Sequence, residues 1–218
     1  MGDFLSVSTW VQFFDDGGFF MWPLLLCAIL GLVVVVWKFI SLTSTSGQTH
    51  KLLDDVNGLI ANHRLEEAKA RCRESDTPVA HILLAGLDKH DQGAERVLAA
   101  IENEGMIQMS RLERGLVWLA TVANVAPLLG FLGTVAGMII AFGAIELAGE
   151  VDATLVAGGI KVALITTAAG LTIAIPVNVA HNYFVSKIDS LVIEMEETSQ
   201  NLIETLHEIE RAPGTRKV

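Results

Sequence analysis

The run GGIKVALITTAAGLTIAIP, residues 158–176, is apolar enough for a bilayer, yet it carries Lys161 and the adjacent pair Thr166 and Thr167. An ammonium in hydrocarbon is expensive, about 2.5–3.5 kcal/mol on insertion scales. A hydroxyl, by contrast, can position water or strip an ion of it while carrying no fixed charge. A third hydroxyl, Thr134, stands in the preceding apolar run, which ends near Glu146. The chemistry open to such a set is passage of an ion, not the making of a bond. The chain has no phosphate loop, catalytic triad, paired carboxylates or metal-ligand spacing. His63, His81 and His90 are scattered singly, and Cys27 and Cys72 fall in different environments, so neither a metal nor a disulfide is expected. Nothing calls for a cofactor or for enzymatic activity, and a net charge of −10 argues against nucleic acid.

The elements that must hold these residues follow from composition. Of 218 residues, 51% are hydrophobic and 18% charged, too apolar for an ordinary soluble domain. Three stretches account for the excess, 19–42, 116–147 and 153–185, and each reaches the roughly 20 residues that cross a bilayer. The predicted fold class is all-α: a polytopic membrane protein with three transmembrane helices, whose long helices extend into the cytoplasm. Before Trp37 the only charges are Asp3, Asp15 and Asp16. Lys and Arg collect in 43–115 and in the tail from 186 to 218. By the positive-inside rule, residues 1–18 lie outside, 43–115 and 186–218 in the cytoplasm, and the acidic turn 148–152 outside. The N-terminus has no basic n-region, so no signal peptide is expected.

The 43–115 segment reads as a packed helical collar. Leu52, Leu53, Val56, Leu59 and Ile60 repeat at helical spacing. Asn62 is the predicted cap of a following helix, and Thr77-Pro78 has the form of an N-cap followed by proline at the first helical position. From Ala94 the pattern predicts one helix running through Arg114 into the second span. In the tail, Leu191, Met195, Ser199, Leu202, Leu206 and Ile209 share a face, which suits either packing or a solvated amphipathic helix.

The short turn makes spans two and three antiparallel neighbours. If it centres near Glu150, Thr134 and Thr167 are equidistant from it, about 24 Å along each helix at 1.5 Å per residue. Each hydroxyl would then either bond its own helix's carbonyl or line a polar path. Gly133, Gly137 and Gly170 permit close backbone approach. Pro127 and Pro176 fall at about one level, a paired bend that serves as a hinge or as a feature of shape.

VAPLLGFLGTVAGMIIAF (125–142), ALITTAAGLTIAIP (163–176), GGFFMWPLLLCAI (17–29) and LERGLVWLATVA (112–123) together resemble the MotA/TolQ/ExbB proton-channel family, most closely its ExbB-like branch. That resemblance implies a multi-pass protein of the bacterial inner membrane, N-terminus periplasmic and C-terminus cytoplasmic. It implies a pentamer around a dimer of single-span ExbD/TolR-like subunits, whose membrane aspartate carries a proton (sodium being possible). It implies too that ion flow drives work on an envelope partner of the TonB kind. Carried over by position, Thr134 and Thr167 match the family's pore-facing threonines, and Thr166 is expected beside them on the ion path. Two other readings stay open: a non-conducting scaffold for a single-span partner, and a TolQ- or MotA-like stator for envelope maintenance or motility.

The chain departs from the family where ExbB and TolQ proteins usually carry a glutamate in the third span. Here GIKVAL puts Val162 at that position, with Lys161 before it. Lys161 is then expected either to reach outward towards Glu146 or to tune the electrostatics of the pore and the partner's aspartate.

Overall fold

Long runs of Leu, Val, Ala and Ile propagate helix with few interruptions, and the breaks at Gly17–Gly18, Pro78, Gly93, Gly115 and Gly149 fall where glycine or proline chemistry permits them. The computed structural model describes residues 7–62, 64–149 and 153–211. Helix α1 (Val7–Gly17) leads through a 3₁₀ turn, Gly18–Phe20, into α2 (Met21–Ala61). Then come α3 (Leu65–Arg73), α4 (Pro78–Leu87), α5 (Ala94–Glu113), α6 (Leu116–Ala148) and α7 (Ala153–Arg211). No strand occurs among the described residues, and the all-α class holds. Three stretches are long and apolar enough to cross a membrane: Val11–Thr43, Ala94–Ala148 and Val156–Ile203. Contacts divide the chain into two compact units, one of residues up to Trp37 with Gly115–Tyr183, the other of Lys38–Arg114 with the chain from Phe184 onward.

In the first unit the packing is inverted relative to a soluble core. Along α6 the buried positions are Leu116, Leu119, Val122, Ala126, Gly130, Gly133, Gly137 and Ala141, shrinking toward the turn. The large side chains Leu128, Phe131, Ile139 and Phe142 face out. With lipid as solvent no hydrophobic force drives helices together, so small residues that let backbones approach carry the contact. On α7 the matching buried positions are Ala163, Thr166, Gly170, Ala174 and Val177. Both α6 and α7 continue through their prolines, Pro127 and Pro176. The α6 helix ends at Gly149, whose φ of +70° and N–H to the Ile145 carbonyl (3.0 Å) make a left-handed cap. The centre of the expected turn, Glu150 to Asp152, lies outside the described residues.

Two expectations about the second unit's helices need correction. Asn62 does not cap α3; its side-chain amide donates back to the Gly58 carbonyl (2.7 Å), and α3 starts after Arg64 without a side-chain cap. Nor does one helix run from Ala94 into the second span. The chain breaks at Arg114–Gly115, where Gly115 adopts φ +96°. The positive φ favours glycine, and a Cβ there would also crowd the Trp37 ring at 3.0 Å. The terminal carbonyls of α5 left by the break are taken by Lys38. This lysine is only 2% exposed, and its ammonium donates to the Leu112 carbonyl and to that of Arg114 (3.1 Å). Lys38→Met, which keeps most of the stem, is expected to leave those carbonyls unsatisfied at a cost of about 1–3 kcal/mol. Faster amide exchange at the end of α5 and a lower midpoint in thermal unfolding would report it.

The predicted cap of α4 is present: Thr77 accepts from the Ala80 N–H (3.3 Å) with Pro78 next to it. Val56, Ile60, Ala68, Cys72, Ile82, Leu83, Val97 and Ile101 build the second core. Leu191, Met195, Ser199 and Leu202 of the tail are buried, while Leu206 and Ile209 lie outside the side chains described. Outside the core, Arg71 bonds Asp55 of α2 and Glu74, and these pairs hold its guanidinium pKa above the ordinary value. Burial pushes the Cys72 thiol up to about 11. The neutral thiol therefore favours the folded state below the ordinary pKa of 9.0, and that contribution is lost as pH rises toward 11. Cys72 should resist iodoacetamide at pH 8 in the folded protein and react once denaturant is added; equal rates in both states would contradict the burial.

Candidate functional site: the α6–α7 hairpin

Only residues 149–152 separate α6 from α7, and the two helices meet through glycine. A Cβ on Gly130 would fall 2.8 Å from the Thr166 carbonyl, one on Gly133 2.5 Å from Thr166 Oγ1, and one on Gly137 2.9 Å from the Gly159 carbonyl. From the other side, a Cβ on Gly170 would lie 2.6 Å from the Ala126 carbonyl. All four lie below the approach real side chains tolerate, so this register exists only with glycine there. It differs by about one turn from the expected pairing of Thr134 with Thr167: Thr167 stands opposite Gly130.

The three threonines occupy different environments. Thr166 is fully buried, and its hydroxyl donates to its own helix's carbonyls, Val162 (3.1 Å) and Ala163 (2.9 Å). Thr167 is half-buried and reaches across, donating to the Gly130 carbonyl at 3.3 Å. Thr134 is half-buried on α6, and its hydroxyl donates to the Phe131 carbonyl (2.6 Å). It opens a groove of about 590 Å³ that runs along one face of α6 through Met138 and Phe142 to Glu146. Thr134 and Glu146 thus share a surface. Thr166 belongs to the helix–helix contact, and Val162 is half-buried one turn from it.

The expectation that Lys161 reaches Glu146 is replaced by a different contact. Lys161 Nζ lies 2.6 Å from Asp16 Oδ2 at the end of α1. The acid arrives because Gly17 packs tightly, a Cβ there meeting Met21 at 2.5 Å and Ile165 at 3.3 Å, and Gly18 at φ +67° turns the chain into α2. Phe14 and Trp22 clamp the same corner edge to face, with ring centroids 5.2 Å apart. Asp16 is the site residue the sequence reading missed. Its signal was there, an aspartate directly before a Gly-Gly pair at the mouth of a span, but no local periodicity connects it to a lysine far along the chain. Among the described residues no group of three His, Cys, Asp or Glu side chains is placed to hold a metal.

Compared with known proteins, residues 74–197 match the profile of the MotA/TolQ/ExbB proton channel family. A biopolymer transport protein ExbB homolog of Methanothermobacter thermautotrophicus is 30% identical over 190 residues, which are 87% of this chain and 67% of the relative. The biopolymer transport protein ExbB-like 1 of Synechocystis is 33% identical over 165 residues, 74% of this chain and 65% of the relative. The Tol-Pal system protein TolQ of Haemophilus influenzae is 40% identical over 84 residues, 38% of this chain and 37% of the relative. The chain thus spans about two thirds of the length of the first two.

Proposed function

Because this chain belongs to the MotA/TolQ/ExbB proton channel family, we propose that its α6–α7 hairpin walls an ion path and that Thr134 and Thr167 are the hydroxyls along it. The observation that carries the reading is the α6 face from Thr134 to Glu146. It is an apolar groove with a hydroxyl at one end and a carboxylate at the other, on a helix whose opposite side is locked to α7 by glycine. A single-span ExbD/TolR-like helix seated on such faces would bring the titrating aspartate that this hairpin does not supply, Val162 standing where the family resemblance implies a glutamate. In this reading the chain forms a pentamer around a dimer of that partner in the bacterial inner membrane, N-terminus periplasmic. Proton flow (sodium being the alternative ion) then drives work on a TonB-like envelope protein. Thr166 serves packing. Pro127 and Pro176 give the paired bend.

One observation favours a second reading, a non-conducting scaffold. The hydroxyls of Thr134 and Thr166 are both satisfied by their own helices, as structural membrane threonines are. Proton uptake into liposomes that hold the chain with its single-span partner separates the two, measured with a pH-sensitive dye, with and without sodium. Uptake that disappears when the partner's aspartate is replaced supports the channel. An assembled complex that passes no ion even with its envelope partner added refutes it.

A further inference from the structure

Lys161, Ile165, Ala168 and Thr172 lie at i, i+4, i+7 and i+11 on α7 and so form one stripe. Against that stripe stand Phe13 and Phe14 of α1 and Met21 of α2, and the space between is a groove of about 580 Å³. That volume falls in the range of small-molecule sites, roughly 300–1,000 Å³. The lining is carbon almost throughout. Its one hydroxyl, Thr172, donates to the Ala168 carbonyl of its own helix (2.7 Å) and so has no O–H left to give a ligand.

The end of this stripe carries the two opposite charges. Lys161 precedes Ile165 by one helical turn, and its ammonium meets Asp16, one turn after Phe13, at 2.6 Å; both side chains remain partly open, at 56% and 38% exposure. Lys161 is eight residues from the start of α7, whereas the groove runs inward from Leu164 to Ile173. The site is therefore graded along the span, a dipolar rim near the helix end and an apolar channel deeper in.

From this we infer a binding site for a zwitterionic, amine-bearing phospholipid: one acyl chain lies in the groove, the phosphate faces Lys161 and the primary ammonium faces Asp16. Charge complementarity selects the ligand. An anionic glycerol headgroup offers Asp16 no cation. A choline headgroup offers a cation without an N–H to donate. Only a primary amine beside a phosphate answers both rim residues. The inference rests on membrane insertion of the span and not on ion conduction, so it stands or fails separately from the proposed function.

The test uses the full chain in nanodiscs containing equal amounts of phosphatidylethanolamine, phosphatidylglycerol and phosphatidylcholine. Lipid retained after mild detergent washing is counted by native mass spectrometry. The expected result is at least fivefold enrichment of phosphatidylethanolamine over each of the others. Lys161→Gln should bring that ratio close to one, the exchange Asp16→Lys with Lys161→Asp should keep it, and Ala168→Phe should abolish retention by filling the groove. Retained lipid that mirrors the bulk mixture in the unaltered protein overturns the proposal, whatever the variants do. So does efficient disulfide formation between two copies of Ala168→Cys, because a second copy would then cover the groove.

Discussion

Thr167→Val is expected to leave the hairpin assembled and to cut proton uptake by the partner-bound complex at least tenfold. Valine keeps the branched shape, so the packing beside Gly130 survives. What is lost is one long hydrogen bond to the Gly130 carbonyl. Interhelical bonds of this kind contribute about 0.6 kcal/mol on average in membranes, too little to unfold the pair. A tenfold loss of flux corresponds to about 1.4 kcal/mol of barrier, more than the bond's share of stability. The two roles therefore separate. A structural hydroxyl would change melting slightly and flux little, whereas a path hydroxyl changes flux and leaves melting nearly unchanged. Thr167→Ser, which restores the hydroxyl, should recover most of the uptake. If Thr167→Val assembles and conducts normally, Thr167 is not on the path.

The other large effect concerns the glycine seam, where two substitutions of equal size should behave differently. Gly170→Ala places a methyl 2.6 Å from the Ala126 carbonyl, a backbone atom that cannot turn aside. Gly133→Ala places one 2.5 Å from Thr166 Oγ1, a side-chain atom. Overpacking of this kind costs about 1–3 kcal/mol, sometimes more. Both variants should melt lower and assemble poorly. Adding Thr166→Gly to Gly133→Ala removes the obstructing atoms and should restore most of the loss, while the same addition to Gly170→Ala should restore none. Thermal unfolding of the detergent-solubilised protein with size-exclusion chromatography would show it. Rescue of both, or of neither, would mean that the seam has a different register.

What was legible in the residues was whatever a short period or a single residue type determines. The three apolar runs, the antiparallel hairpin, the small residues at its contact and the Thr77-Pro78 helix start are local patterns, and the structure has each of them. The break at Gly115 was not legible, because a glycine inside an apolar-periodic stretch is compatible with a continuing helix. The break is decided by Trp37 and Lys38, more than seventy residues earlier. Lys161 shows the same limit at the candidate site. Its need for an acid could be read from the cost of its charge, and Glu146 was the acid expected to meet it. Glu146 projects instead on the outward groove of α6, whereas Asp16 is carried to Lys161 by the packing of Gly17 on Met21 and Ile165. Thr166 and Thr167 are neighbours in the chain but point about 100° apart around α7. That alone sends one into the seam and lets the other reach across it.

The contact between Asp16 and Lys161 also has a consequence for biosynthesis. Translation produces the acid first and the lysine some 145 residues later, in the third span. A lysine at the centre of a span opposes insertion by about 2.5–3.5 kcal/mol and one near the rim by less, and the charge that offsets Lys161 stands at the end of α1, made before the first span. The N-terminal helix is in that sense an assembly factor carried in cis. Bulky fusions at that end should therefore act at a distance, lowering the yield of correctly threaded third span while leaving the first span untouched.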